Sequence, residues 1–160
     1  MTAPSSRRPR SSRTGSTLVE LMIVTLLIGL FAAMAIPSYR SSVEQARTDM
    51  AAANLRTLWA AQRFFYLNER SYTSDTDDLI AYGVFKRSEI SSATPGGPFL
   101  MYNDPSFTYR IELQPNGDFQ ATATRSAGIA FSGVLTIDAA GVVTGEVIDT
   151  DGRVVRPGFR

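Results

Sequence analysis

Arg13-Thr14-Gly15-Ser16-Thr17-Leu18-Val19-Glu20 is where a polar, arginine-rich leader stops and an apolar run starts. The run covers residues 18–36 and is interrupted only by Glu20, Thr25 and Gly29. As a helix it spans roughly 28 Å, enough to cross the hydrocarbon of a bilayer. Arg7, Arg8, Arg10 and Arg13 precede it. Basic residues beside a first span hold that end in the cytoplasm, which places everything beyond Pro37 outside. A secretory signal peptide would carry a shorter apolar core with a small-residue cleavage site after it, whereas the candidate site here lies before the core. Glu20 stands inside the run. A carboxylate next to hydrocarbon is costly unless it is paired, protonated or awaiting a partner, so it marks function.

Working outward, Pro37 interrupts what otherwise reads as one long helix, and a kink is expected there because proline lacks an amide hydrogen and clashes with the preceding turn. Beyond it, Val43, Ala46, Met50, Ala53, Thr57, Ala61 and Phe65 recur at steps of three and four. That spacing predicts an apolar stripe cradling a sheet, with Arg40, Glu44, Arg47, Arg56 and Arg63 mostly off it. Trp59, Phe64 and Tyr66 broaden the stripe as core aromatics. The helix is expected to end near Asn68, followed by a long connection that Tyr72 and Leu79 pin to it. The tract Ser91-Ser92-Ala93-Thr94-Pro95-Gly96-Gly97-Pro98 is too rich in breakers for regular structure.

Residues 107–113 and 119–125 alternate in polarity around Pro115-Asn116-Gly117-Asp118, an Asn-Gly hairpin signal. A third strand is expected at 133–137. Asp138-Ala139-Ala140-Gly141 turns the chain into a fourth at 142–148, and Asp151-Gly152 offers one more turn before 153–156. The expected fold is α+β: a long N-terminal helix, membrane-spanning in its first half and kinked near Pro37, packed on a roughly four-stranded antiparallel sheet.

The chain has 16 basic and 15 acidic residues. Without the four leader arginines the balance is 12 against 15, a net charge of −3, which removes any case for a polyanion partner based on the uncut chain's charge. There is no cysteine and no histidine, so thiolate nucleophiles, imidazole bases and the usual zinc and copper ligands are missing. No nucleotide-cradling glycine loop and no nucleophile motif is present, and the chain does not read as an enzyme.

The residues Gly15-Ser16-Thr17-Leu18-Val19-Glu20-Leu21-Met22, followed by Ala35-Ile36-Pro37-Ser38-Tyr39, resemble the start of a type IV pilin or type II secretion pseudopilin. The likeness is greatest to a type IVa minor or E-type pilin. It is dense in the N-terminal third and weaker in Tyr109-Arg110-Ile111 and Leu135-Thr136-Ile137-Asp138. The resemblance implies three parts: a cleaved leader, 1–15; a transmembrane and filament-core helix, 16–36; and a globular domain, 37–160, that includes the second half of the helix. It implies cleavage between Gly15 and Ser16 and N-methylation of Ser16, which stands where the family usually has Phe or Met. It implies that Glu20 neutralises the terminal amine of a neighbouring subunit, so that both become tolerable in apolar surroundings only in the correct register. The implied partners are a prepilin peptidase and N-methyltransferase, other pilin subunits, an inner-membrane assembly platform, a motor ATPase and, before assembly, inner-membrane lipid. The implied location is the bacterial inner membrane, single-pass with a cytoplasmic N-terminus, then a pilus at the cell surface or a periplasmic pseudopilus.

Three functions remain open at this point: a major or minor pilus subunit serving adhesion, motility or DNA uptake, a secretion pseudopilin, and a binding module, a minor or competence pilin displaying a DNA or surface-adhesion site on its sheet and loops. The hairpins and the Tyr72-Thr73 stretch favour the pilus. Asp75-Thr76-Asp77-Asp78 and Asp149-Thr150-Asp151-Gly152 offer clustered oxygens, but neither continues into a full calcium loop, so they read as solvated turns and no metal or other cofactor is expected. Lys86-Arg87 and the arginines of 153–160 read as scattered surface charge rather than a DNA patch. Gly29 has no G-x-x-x-G partner.

Overall fold

A computed structural model of the chain describes residues 17–91, 93–126 and 130–158. Helix α1 (Leu18–Glu69) is a single run of 52 residues with Pro37 inside it. Its end matches the expected one within a residue. There Arg70 turns left-handed at φ 58° and its amide donates to the Tyr66 carbonyl at 2.9 Å, a helix-ending αL residue without glycine. Contacts divide the chain into two units, Met1–Tyr39 and Arg40–Arg160.

In the second unit a six-residue helix, α2 (Thr76–Ala81), follows α1. The sequence reading had only a connection here. Asp75 caps α2 by accepting from the Asp77 amide at 2.8 Å, and Leu79 is fully buried. A turn and a half of helix is too short to show a period, although its capping signal, Asp followed by acidic residues, was present. The connection is pinned as expected: Tyr72 stacks on Tyr66 with ring centroids 4.8 Å apart and meets Phe119 at 4.8 Å.

The sheet has six strands rather than about four, in the order β1 (Phe99–Met101), β2 (Asp104–Leu113), β3 (Phe119–Arg125), β4 (Phe131–Asp138), β5 (Val143–Asp149) and β6 (Val154–Val155). Every neighbour is antiparallel. The four long strands lie where alternation put them. The two additions are edge strands of three and two residues, too short for a period-two pattern to register. Phe107, Tyr109 and Ile111 on β2, Ala121 and Ala123 on β3, and Leu135 and Ile137 on β4 face the core. The β4–β5 turn lies close against α1. Gly141 adopts φ +83°, its absent Cβ would sit 2.9 Å from the Trp59 ring, and the Trp59 indole N–H donates to the Ala139 carbonyl at 3.0 Å.

The helix face toward the sheet is not the one that periodicity selects. Of the expected stripe only Ala61 and Phe65 are buried, whereas Leu55, Leu58, Ala51, Thr48, Gln62 and Glu44 are. Two rows share the same alternating spacing, and the sheet takes the one with Leu55 and Leu58, both fully buried. The polar members of that row are paired inside. Gln62 donates to the Thr73 carbonyl at 2.7 Å and accepts from the Thr73 amide at 3.2 Å. The carboxylate of Glu44, 1% exposed, meets Arg125 Nε at 2.5 Å. A hydropathy pattern scores these residues as outward because it cannot see the partner that makes burial tolerable.

Candidate assembly surface

In the first unit α1 begins at a cap. Thr17 precedes the helix, its carbonyl accepts from the Leu21 amide at 3.1 Å, and its hydroxyl accepts from the Glu20 amide at 3.3 Å. Thr17-Leu18-Val19-Glu20 has the T-x-x-E spacing of a capping box, and the half of it that runs from the Glu20 amide to the Thr17 hydroxyl is formed. Glu20 is exposed in the first turn, where helix N–H groups favour a negative charge. Thr25 donates to the Leu21 and Met22 carbonyls, both at 3.0 Å, so its hydroxyl is satisfied within the helix. Nothing lies within 4 Å of where a Cβ on Gly29 would be. Pro37 withholds the amide that would serve the Ala33 carbonyl. Gly15 and Ser16, the expected processing pair, and the rest of the expected leader lie outside the described residues.

The side chains between Leu18 and Ile36 are exposed throughout, Leu18 by 75%, Leu26 by 70% and Met34 by 73%. The helix is long and apolar enough to cross a membrane, and the apolar window that qualifies it buries nothing within the chain. Apolar exposure on this scale marks a surface made for lipid or for other protein.

The second unit adds an outward row on α1, with Ala46, Met50, Ala53, Thr57, Phe64 and Leu67 all exposed. Most of the stripe expected to cradle the sheet is here, facing outward. Arginines fringe it: Arg47 reaches Glu44 at 3.3 Å, and Arg63 lies 5.9 Å over the Trp59 ring. Behind this face, Arg125 binds Glu44 through Nε at 2.5 Å and a terminal nitrogen at 3.3 Å, donates to the Ser106 and Ser126 carbonyls at 2.8 and 3.0 Å, and lies over Phe107. Sequence reasoning missed this pair; its members are 81 positions apart.

A second buried polar group links α1 to β2. The Tyr109 hydroxyl donates to Asp104 at 2.6 Å and accepts from Asn54 at 2.9 Å, and the Ser106 amide donates to the other Asp104 oxygen at 3.1 Å. Burial first, and the bond to Asp104 second, push the Tyr109 hydroxyl well above the usual phenol range.

The acidic clusters read from sequence have other employment. Asp75 caps α2, Asp77 pairs with Arg87 at 2.9 Å, and Asp78 accepts from the Thr73 hydroxyl at 2.7 Å. Asp149 accepts from the Thr150 hydroxyl at 3.1 Å. Arg156 pairs with Glu146 at 2.8 Å.

Comparison with known proteins follows the same line. No protein-family model matches the chain, and neither does any solved structure. The chain is 35% identical over 65 residues to the type IV major pilin protein PilA of Myxococcus xanthus, covering 41% of this chain and 30% of that one. It is 31% identical over 72 residues to the type II secretion system core protein G of Pseudomonas aeruginosa, covering 45% of this chain and 51% of that one. With the type IV major fimbrial protein FimA of Dichelobacter nodosus the identity is 25% over 130 residues, 78% of this chain and 80% of the other. The chain thus spans less than a third of the first of these relatives and about half of the second.

Proposed function

We propose, from the chain's likeness to type IV pilins and a secretion pseudopilin, that it is a subunit of a type IV pilus, held in the inner membrane by the first half of α1 and then drawn into a helical filament. The observation that carries this reading is a 52-residue helix whose first half is apolar all round and buries nothing in its own chain. Such a surface has two uses in sequence, lipid first and neighbouring helices afterwards. The outward row from Ala46 to Leu67 extends the second use into the globular part. Contacts of this kind are heterologous, do not close, and propagate as a fibre.

In this reading a prepilin peptidase cuts between Gly15 and Ser16 and the new amine is methylated. Glu20, at the head of α1, pairs with the amine of a neighbour. Pro37 supplies the kink or melted turn that fits α1 into the fibre, and a separate platform and motor ATPase provide the work of extraction. A second reading, a pseudopilin of a type II secretion system, is favoured by the likeness to the secretion core protein. Restoring secretion in a strain that lacks its own core pseudopilin, with no surface filaments formed, would select it.

Intact-mass analysis of membranes and of sheared surface filaments tests the pilus reading. A mass for residues 16–160 plus one methyl group, present in filaments, is expected; an uncut mass confined to membrane in the presence of a prepilin peptidase would overturn it. The Glu20→Ala variant is expected to be made and cut as the parent is, yet to yield few filaments. Normal filament yield from it would remove the pairing role.

A further inference from the structure

We propose that the globular unit carries a socket for its neighbour: a cavity on one flank of α1 takes the Arg56 side chain from the opposite flank of a second copy. The inference rests on the filament reading above and adds a polar contact to the outward row. The cavity, of about 370 Å³, lies where Asn54 and Thr57 of α1 face the turn between β1 and β2. Buried Phe85 and Met101 give it an apolar wall. Its polar groups are acceptors. The Thr57 hydroxyl spends its proton on the Ala53 carbonyl at 3.1 Å, which leaves lone pairs alone for an incoming group. Asn103 donates to the Asn54 oxygen at 3.1 Å, while its own oxygen meets Asn54 only at 3.4 Å and keeps room for a donor. Glu89 takes the Lys86 amide on one carboxylate oxygen at 3.0 Å and pairs with no cation among the described residues. A carboxylate and two acceptors beside an aromatic ring suit a guanidinium, which stacks by its face and donates by its edge.

The other flank supplies one. Arg56, Arg63 and Arg70 recur at every seventh position and make that side of α1 basic. Arg47, Arg87, Arg110, Arg125 and Arg156 already pair with carboxylates, and Arg63 lies over Trp59. Arg56 is exposed and has neither a carboxylate nor a ring against it among the described residues. Two positions along a helix are about 200° around it, so Arg56 and Asn54 lie on opposite flanks and cannot meet within one chain. Joined between copies, they make a heterologous contact, the kind that propagates without closing. Thr57 also belongs to the outward row, so the socket continues the surface already given to neighbouring subunits. The charge pair fixes which copy sits where, a register that apolar packing alone leaves loose.

The test uses the full chain in cells that assemble it, with the yield of sheared filaments as readout and the membrane level of each variant as control. Arg56→Glu and Glu89→Arg are each expected to lower filament yield by about tenfold or more, the effect of placing like charges across an interface, at unchanged membrane level. The double reversal should recover most of the yield. The chain has no cysteine, so Ser88→Cys at the socket and Ala60→Cys one turn beyond Arg56, both exposed positions, introduce the only thiols. Filaments of that double variant, oxidised with copper phenanthroline, should give a ladder of dimers, trimers and longer products on a non-reducing gel, and neither single variant should pass the dimer. Filaments without a ladder, or a double reversal no better than the single ones, overturn the inference. Cross-linking to a protein of another mass in place of the ladder overturns it as well, since the socket would then serve a different partner. A parent that forms no filaments overturns the pilus reading itself, and this inference with it.

Discussion

Arg125→Met is expected to destabilise the globular unit by about 3–5 kcal/mol, the cost of stranding a buried carboxylate. Glu44 is 1% exposed, and two of its contacts come from Arg125, at 2.5 and 3.3 Å. Its other cation, Arg47, is half exposed and reaches it only at 3.3 Å. The same change leaves the Ser106 and Ser126 carbonyls without the donor they share. Pairing it with Glu44→Leu should recover most of the loss, since exchanging both members of a buried pair for apolar side chains is often neutral. Urea melts of the two single variants and the double, in the same detergent, measure this. A double variant no more stable than Arg125→Met would show that the arginine acts through Phe107 and the two carbonyls rather than through Glu44.

Tyr109→Phe is the second large effect, about 2 kcal/mol at neutral pH, because it removes the hydroxyl that donates to buried Asp104 and accepts from Asn54. It also changes the alkaline limb of the stability curve. The folded phenol is held above its ordinary value by burial and by Asp104, while an unfolded tyrosine titrates near 10. The folded chain therefore keeps a proton that the unfolded chain releases. The contribution is complete below about pH 10 and is lost as pH rises beyond it. Tyr109→Phe should be less stable than the parent at pH 7 and should lose less on going to pH 11. Parallel curves for the two proteins across that range would show that Tyr109 does not drive the alkaline loss.

Much of this architecture was legible in the chain. The apolar run at 18–36, the helix end at Asn68 and the turns at Asn116-Gly117 and Ala140-Gly141 are local signals, and the structure places each where it was read. β3 was read to the residue because Phe119, Ala121 and Ala123 alternate cleanly with polar neighbours. What was not legible was relational. The choice between the row containing Met50 and the row containing Leu55 depends on what the sheet offers: Arg125 for Glu44 and Thr73 for Gln62. Thr17 as a cap is a local signal too, since T-x-x-E before an apolar run marks a helix start.

The meander also has a kinetic meaning. Each strand pairs only with its neighbour in sequence, so the sheet can zip hairpin by hairpin at little loop-closure cost. The base of the helical part in the globular unit is held differently. Gln45 donates to the Arg156 carbonyl at 2.9 Å, and Asp49 accepts from the Gly158 amide at 2.8 Å, contacts that close loops of 111 and 109 residues. The segment around Arg156 and Gly158 thus adds two long-range fastenings at residues 45 and 49 of α1, beyond those that Trp59, Glu44 and Asn54 make further along the sheet.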